Sequence, residues 1–397
     1  MTTVIFDLTN NLTVSSVKQN NITVPFFQTS EELNITLLNS LSTGTSATVE
    51  ITYAGAPSNE EDAFTVSTHS GIPILWTLSE PYGARDWWPC KQDLNDKIEN
   101  IDIYITAPSQ YVSVANGIQV SQTTNNNGTK TTHFSHNYPI PAYLVAIAVT
   151  NYQIFNQTAG TAPNTFPIVN YIYPENYNSA QNSLAVTLPI MNLFENLFET
   201  YPFSNEKYGH AQCGFGGGME HTTVSFMGSF DRELIAHELA HQWFGNKITC
   251  ATWNDIWLNE GFATYLSGLV VENLDGNTSF RNWKNGLINN ITSQNGGSVY
   301  ISDAELSNVN RIFSSRLSYN KGAMVVHMLR WKLGDTAFFQ GLKNYLADAN
   351  LAYGYAETNH LKLHLETVSG QSLTEFFNDW LYGQGYPSYQ VQVENLN

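Results

Sequence analysis

The hydrophobic pattern changes its period near residue 175, and this change limits the folds that the chain can adopt. Before this point, apolar and polar residues alternate in short runs, as at residues 4–6, 101–105 and 143–147, which is typical of β-strands. After it, apolar residues recur at helical spacing, at Leu184, Leu188, Met191, Phe194 and Phe198. The sequence therefore predicts a β-rich part followed by a mainly helical part.

The length of the chain predicts more than one domain. At 397 residues it exceeds the size at which a single core usually stops growing, so we expect two domains, and three short ones stay open. We place an N-terminal β-rich domain at residues 1–175, a helical domain at 176–386 and an extension at 387–397. Because Met1 directly precedes a predicted strand, we expect the first strands of the N-terminal domain to lie upstream of it. Beyond the first helix, which ends before Pro202, we predict helices at 232–244, 255–272, 319–331, 335–346 and 373–382.

The charge balance excludes some classes of partner. The chain has 17 Lys and Arg residues against 34 Asp and Glu residues, a formal net charge of −17, whereas nucleic acids and anionic membranes require a basic face. An acidic surface serves solubility, and its field also attracts cations such as peptide α-ammonium groups. No apolar run approaches the ~18 residues of a membrane helix, so we predict no membrane span. The oligomeric state stays open.

The compartment is not fixed by the sequence. The N-terminus lacks a basic region followed by an apolar core, so no secretory signal is visible. The Asn-, Thr- and Ser-rich, Lys-poor composition favours a secreted or cell-envelope protein, with the cytoplasm as the alternative. The odd count of cysteines, without paired spacing, predicts buried thiols rather than a disulfide framework, although one bridge stays open; they are Cys90, Cys213 and Cys250.

A His-Glu-x-x-His motif is the strongest chemical signal in the sequence. It occupies residues 237–241 of a predicted helix, which Asp231 is placed to cap and Gly245 to end. Residues four apart share a helix face, so His237 and His241 can bind the same Zn²⁺ ion, and the adjacent Glu238 faces the water bound to that ion. The motif therefore predicts a zinc site.

Glu260 is the predicted third zinc ligand. It lies nineteen residues after His241, on the next predicted helix, and two antiparallel helices can bring its carboxylate to both histidines. A catalytic zinc ion takes three protein ligands and keeps a fourth position open. The alternative is that His237 and His241 are structural residues and that Glu260 is a charge on the surface. It would have to account for both the His-Glu-x-x-His motif and the glutamate at this spacing. We expect one Zn²⁺ ion per chain.

With these motifs, the chain resembles the M1 family of zinc aminopeptidases, which are gluzincins. Residues 217–221, Gly-Gly-Met-Glu-His, are similar to the family's Gly-x-Met-Glu-Asn motif, and residues 319–323 are similar to the segment that carries its catalytic tyrosine. Residues 80–90 resemble the N-domain loop that enters the family's active site. The resemblance covers most of the chain. Compared with the family pattern, we expect this sequence to lack the start of the N-terminal domain and the later C-terminal domain.

The resemblance implies a fold and an activity. The fold is an α+β multidomain arrangement, in which an N-terminal β-rich, saddle-like domain precedes a mainly helical, thermolysin-like catalytic domain. The implied activity is hydrolysis of the N-terminal peptide bond of peptides with a free N-terminus. Two alternatives stay open: a zinc endopeptidase, because His-Glu-x-x-His is widely shared, and a catalytically silent peptidase-like binding protein.

Each residue of these motifs then has an expected role. Glu238 acts as general base and then general acid, and Tyr319 donates a hydrogen bond to the developing oxyanion. Glu220 binds the α-ammonium group of the substrate, with Glu80 as the second carboxylate. Three further residues are expected to contact substrate, two through close backbone approach and one as a pocket wall: Gly217, Gly218 and Met219.

His221 departs from the family pattern, because the motif has Asn at this position. An imidazole can still donate a hydrogen bond to a substrate carbonyl. Since histidine ordinarily titrates near pH 6.5, we expect His221 to add a loss of activity on acidification. A metal ligand at this position would fill the open coordination site, so we do not place His221 among the ligands.

Overall fold

The computed structural model describes residues 1–58, 62–388 and 390–394. Up to residue 150 its regular structure is almost entirely β, as the alternating pattern predicts. The strands pair into small sheets in the orders β1-β5-β4, β3-β2-β6, β10-β13-β8-β7 and β11-β12-β9, and their bounds are β1 Thr3–Asp7, β2 Leu12–Gln19, β3 Ile22–Thr23, β4 Phe26–Gln28, β5 Glu32–Thr36, β6 Val49–Gly55, β7 Phe64–His69, β8 Ile72–Thr77, β9 Ile101–Pro108, β10 Val112–Ala115, β11 Ile118–Thr124, β12 Thr129–His136 and β13 Ile147–Thr150.

A mixed sheet joins the β-rich part to the helical part. Its order is β14-β15-β16-β18-β17, with parallel pairing of β15 to β16 and of β16 to β18. The sheet therefore continues across residue 175, where we predicted a domain boundary, and the boundaries at 175 and 386 stay predictions. The strands are β14 Gln153–Thr161, β15 Asn164–Ile172, β16 Tyr208–Gln212, β17 Gly218–Met219 and β18 Ser225–Met227.

The helices complete the predicted α+β class, with a β-rich part before a helical part: α1 and α2 lie between β15 and β16, and the others follow β18. Two short strands, β19 Thr249–Cys250 and β20 Tyr355–Ala356, pair in parallel between them. Two segments, Ser315–Lys321 and Asn378–Tyr382, are π-helical. The helices are α1 Tyr177–Leu184, α2 Thr187–Leu197, α3 Arg232–Ala240, α4 Trp257–Ile291, α5 Val309–Ile312, α6 Gly322–Leu333, α7 Asp335–Ala347, α8 Thr358–Ser369 and α9 Thr374–Phe377.

Several predicted elements differ from the structure in their bounds. The first predicted helix is two helices, α1 and α2. Helix α4 consists of two helical segments, because Gly276 between them has non-helical backbone angles (φ 81°, ψ 176°), and the helix predicted at 255–272 corresponds to the first segment. Helix α8 was not predicted. The strand predicted at 143–147 is wrong, since residues 142–144 form a 3₁₀ turn and β13 starts at Ile147. Asp231 occupies the N-cap position of α3 but its side chain makes no capping bond; it accepts a hydrogen bond from Ser229 Oγ instead (2.7 Å).

Two glycines allow α4 and α6 to cross in close contact. A Cβ atom placed on Gly261 would lie 2.9 Å from the carbonyl carbon of Gly322, and one on Gly322 would lie 3.0 Å from the Cα of Gly261. A contact of 2.9 Å to the backbone is shorter than real Cβ atoms show, so Gly261 needs to be glycine, and the contact at Gly322 is tighter than nearly all real Cβ contacts. The crossing brings Glu260, next to Gly261, close to the segment that carries Tyr319.

Two further features of the described residues concern the cysteines and the apolar helices. All three cysteines are free and buried, as the odd count without paired spacing predicts. Among the described residues we find no helix that combines the length and the apolar character of a membrane span.

We predict that Gly261→Ala lowers the free energy of unfolding by about 1–3 kcal/mol, because the added methyl group overpacks the crossing with Gly322. Gly286→Ala is the matched control. It lies in the helical segment of α4 after Gly276, with open space at its Cβ, so alanine is expected to leave stability equal or to raise it by up to ~1 kcal/mol. Urea unfolding of the two variants measures the difference, and equal midpoints would contradict the prediction.

Candidate active site

A cleft of about 520 Å³ lies beside α3 and α4. Ten of the eleven site residues predicted from the sequence line it, and His221 does not. They come from the β-rich part, the β17–β18 segment, the two helices and the π-helical segment before α6. These residues are Glu80, Gly217, Gly218, Met219, Glu220, His237, Glu238, His241, Glu260 and Tyr319.

Three side-chain donors converge in the cleft. His237 Nε2 lies 3.0 Å from His241 Nε2 and 3.1 Å from Glu260 Oε2, and His241 Nε2 lies 3.4 Å from Glu260 Oε2. Donors bound at about 2.0–2.1 Å to a tetrahedral metal ion are separated by about 3.3 Å. The three donors therefore fit one metal ion, with room for a fourth ligand.

Helical geometry and hydrogen bonds aim these donors at one point. His237 and His241 are one turn apart at the end of α3, which packs on α4. The His241 Nδ1–H group donates to the carbonyl of Phe244 (3.2 Å), and Thr264 Oγ1 lies 3.5 Å from His237 Nδ1. With Nδ1 engaged in this way, the Nε2 atom of each imidazole is directed at the cluster, where it can bind a metal ion in its deprotonated form.

Glu238 lies beside the donors with one oxygen unsatisfied. Its side chain is buried, and Oε2 has no hydrogen-bond partner among the described residues. It packs against the backbone of Gly218, where a Cβ atom would collide with its carboxylate, so glycine at this position leaves space for the glutamate. Burial raises the pKa of Glu238 well above its usual value, helped by the charges of Glu220 and Glu260 and opposed by His241.

Glu220 and Glu80 bring two more carboxylates to the same cleft. Glu220 is buried, and the Oε1 atoms of both are buried without a partner among the described residues. Ligand oxygens of Glu80, Glu220 and Glu260 all lie within 4.8 Å of one another. Burial raises the pKa of Glu80 and of Glu220, and neighbouring carboxylates raise both further, whereas His241 lowers that of Glu220. These carboxylates need a cation for stability in their ionised form.

The backbone of Glu220 is held by α3 and the turn after it. Its carbonyl accepts hydrogen bonds from Gln242 Nε2 (3.1 Å) and Asn246 Nδ2 (2.7 Å). Gln242 Oε1 also accepts from the backbone N–H of Thr223 (3.0 Å). Since Gln242 directly follows His241, the segment that carries both histidine donors also holds the backbone of Glu220.

The β-rich part holds residues 222 and 223, which directly follow the Glu220 segment, from the other side. Thr223 has φ 70°, a backbone conformation that β-branched residues rarely adopt. Its Oγ1 accepts from the N–H of Gly117 (2.8 Å) and from Lys207 Nζ (3.3 Å), and Asn116 Nδ2 donates to the carbonyl of Thr222 (2.9 Å). The sequence carries no local signal of this support, because Asn116 and Gly117 lie 106 residues before the residues that they contact.

Tyr319 faces the donors from the π-helical segment. Its ring stacks on that of His237, with centroids 5.8 Å apart and planes 11° apart. Burial raises the pKa of Tyr319 well above its usual value, and the charge of Glu260 raises it further. The phenol therefore stays protonated, as a hydrogen-bond donor to an oxyanion requires.

His221 does not line the cleft. It is fully buried and packs edge-to-face on Phe226, with centroids 4.4 Å apart. Burial lowers the pKa of His221 to about 3, so our expectation of a titration near pH 6.5 is wrong, because the apolar surroundings keep the ring neutral.

Sequence reasoning missed several residues that line the cleft. Glu233 is one helical turn before His237, and Thr264 and Ser267 follow Glu260 at helical spacing. Helical spacing from a predicted metal ligand could therefore have identified these cleft-lining residues from the sequence. Leu234, also on α3, lies three residues before His237. The others lie on loops or on the π-helical segment and had no such signal: Gly216, Phe313, Ser315 and Asn320.

Two family models match the chain. The Peptidase M1 N-terminal domain matches residues 3–144, and the Peptidase family M1 domain matches residues 220–380, so together they cover most of the chain. The chain belongs to peptidase family M1. The second match contains the three donors and Glu238, and the resemblance seen in the sequence motifs is confirmed.

Curated M1 relatives are longer than this chain. Aminopeptidase M1-C of Oryza sativa subsp. japonica is 29% identical over 341 residues, which are 80% of this chain and 38% of the relative. Glutamyl aminopeptidase of Rattus norvegicus is 28% identical over 349 residues, 80% of this chain and 35% of the relative. The chain thus spans little more than a third of the length of these relatives.

Solved structures of the M1 family match the whole fold. An M1 zinc metallopeptidase from Deinococcus radiodurans superposes with a TM-score of 0.84 at 25% identity, covering 98% of this chain and 88% of that one. A mutant of a Deinococcus radiodurans M1 zinc metallopeptidase, crystallised with a Tyr-Ser-Ala substrate, gives a TM-score of 0.83 at the same identity and coverage. The predicted order of a β-rich part and a helical catalytic part is confirmed.

We predict that the affinity for a divalent metal ion rises about tenfold per pH unit between about pH 6 and 9. Burial lowers the pKa of His241, but Glu220, Glu260 and Glu238 outweigh this and raise it to about 10. The metal-free protein therefore carries a proton on His241 throughout this range, and this proton must leave when a metal ion binds. Metal titration calorimetry in two buffers of different ionisation enthalpy measures the proton release; an affinity independent of pH would contradict the prediction.

Proposed function

We propose that this chain is a zinc-dependent aminopeptidase that hydrolyses the N-terminal peptide bond of peptides. The observation that carries the proposal is one cleft that combines three metal donors with an unsatisfied glutamate and two further carboxylates. Among the described residues that line this cleft there is no Lys or Arg. The cleft therefore attracts two cations, a metal ion and a substrate ammonium group.

The comparisons support this function. The curated relatives above are aminopeptidases, and the matching solved structures are zinc metallopeptidases, one of them with a peptide substrate. Two imidazoles and one carboxylate, with a fourth position open, are also a donor set typical of catalytic zinc. When bound, a zinc ion acidifies the attacking water and polarises the scissile carbonyl.

Glu238 and Tyr319 supply the proton transfers and the oxyanion contact of the proposed reaction. The free Oε2 of Glu238 takes a proton from the attacking water, and the same carboxyl group then gives it to the nitrogen of the departing peptide as the C–N bond breaks. The Tyr319 hydroxyl donates a hydrogen bond to the carbonyl oxygen as negative charge develops on it.

Glu220 and Glu80 favour an exopeptidase over an endopeptidase. An α-ammonium group bound to these carboxylates places the first peptide bond at the metal donors, because ligand oxygens of Glu80 and Glu220 lie within 4.8 Å of a ligand oxygen of Glu260, one of the three donors. An internal segment of a peptide has no cation at this position and would leave two buried carboxylates unpaired. A catalytically silent binding protein is disfavoured by Glu238, whose unsatisfied buried oxygen serves no structural contact.

We expect the purified chain to hydrolyse alanyl, leucyl or arginyl p-nitroanilides with a free amine and to leave the N-acetylated forms intact. Chelation should abolish the activity, and added zinc should restore it. Glu238→Gln is expected to lower kcat by about 10²–10⁴-fold, since it removes the general base. Cleavage of N-blocked peptides at internal bonds would instead indicate an endopeptidase.

Glu220→Gln is expected to lower kcat/KM for free-amine substrates by about 10- to 100-fold, the effect of losing a charge-assisted hydrogen bond. Glu375→Gln is the matched control, because Glu375 is exposed on α9 and does not line the cleft. Steady-state kinetics with leucyl p-nitroanilide measure both variants. Equal kcat/KM values for the two variants would show that Glu220 does not bind the amine.

A further inference from the structure

Glu233 is a carboxylate of the cleft that the proposed reaction does not use. It lies in the first turn of α3, one turn before His237, and its side chain is exposed where it lines the cleft. The nearest cation in sequence, Arg232, is already paired with both carboxylate oxygens of Asp275. No ion pair joins Glu233 to a Lys or Arg side chain among the described residues.

Helix α3 gives the cleft a direction. The carboxylates that bind the ammonium group lie at the His241 end, where Glu220 approaches His241. Glu233 lies eight residues before His241 and four before His237, which is about 12 Å and about 6 Å along the helix axis at 1.5 Å per residue. A substrate with its amine at the His241 end therefore extends past the metal donors toward Glu233.

The distance of Glu233 from the metal donors indicates which residue of a bound peptide can reach it. An extended peptide advances about 3.3 Å per residue, so the residue directly after the scissile bond lies near the His237 end of the cleft. A Lys or Arg side chain on this residue is long enough to bring its charge to Glu233. Its aliphatic stem can pack on Leu234, the next residue of α3, which also lines the cleft.

We propose that Glu233 makes the enzyme prefer peptides with Lys or Arg as the second residue. This inference rests on the aminopeptidase function proposed above and names the substrate class of the same cleft. Because Glu233 is exposed, the preference is moderate and depends on salt. An acidic second residue is disfavoured, since no cation of the lining compensates it.

The test compares the tetrapeptides Ala-Lys-Ala-Ala, Ala-Gln-Ala-Ala and Ala-Glu-Ala-Ala. At low ionic strength we expect kcat/KM for the lysine peptide to exceed that for the glutamine peptide by about 2- to 5-fold, and the glutamate peptide to be the poorest. Glu233→Gln should bring the lysine-to-glutamine ratio close to one, and Glu233→Lys should invert the order of the charged peptides. Glu375→Gln, the matched control, should keep the wild-type ratio.

The outcomes separate the two proposals. If the wild-type chain cleaves alanyl p-nitroanilide but shows no lysine preference, or keeps that preference in Glu233→Gln, the inference about Glu233 is wrong and the aminopeptidase function stands. If no free-amine substrate is cleaved after zinc restoration, the proposed function fails and the inference fails with it. A preference that disappears in Glu233→Gln and weakens with added salt supports the inference.

Discussion

Electrostatic repulsion between glutamates in one sheltered cleft is the constraint on which the rest of the site depends. Glu220, Glu238 and Glu260 are buried, and an oxygen of Glu80 is buried beside them. In such surroundings several negative charges cannot coexist unless cations or protons balance them. Burial and mutual repulsion accordingly raise the pKa values of Glu80, Glu220 and Glu238, and the charges of the carboxylates raise the pKa of His241, so the cleft holds protons more readily than exposed groups of the same kind do. The same need for positive charge favours the binding of cations in the cleft.

The fold meets this constraint by fixing each carboxylate from a different element. Helices α3 and α4 carry the three metal donors, and the glycine contact between α4 and α6 holds the tyrosine segment against them. Gly218 leaves room for Glu238. Close backbone packing at these glycines thus holds the carboxylates near one another despite their repulsion. Larger side chains at the same positions would push the charged groups apart. We infer that the glycines matter to catalysis through distance rather than through flexibility.

The sequence predicted the parts of this site that depend on local geometry. His237 and His241 share a helix face, and Glu260 lies on the next helix, so spacing alone suggested the donor set. Residues 217–220 and Tyr319 came from motif resemblance, and the structure places them at the same cleft. The sequence did not reveal the environment of His221, because its burial depends on Phe226 and the surrounding core. It also did not predict the sheet that continues across residue 175, since strand pairing between distant segments leaves no periodic signal.

The loop after Glu220 joins the two parts of the molecule. Lys207 Nζ contacts Thr223 and the carbonyl of Ala115, and the Asn116 and Gly117 segment supports the same loop. Glu80 also comes from the β-rich part. A helical part separated from its partner would keep the metal donors but lose Glu80 and the support of the strained Thr223 backbone. In evolution, recombination between these two parts would therefore remove Glu80 and the support of the Glu220 loop while keeping the metal donors, and the two parts are expected to be inherited as one unit.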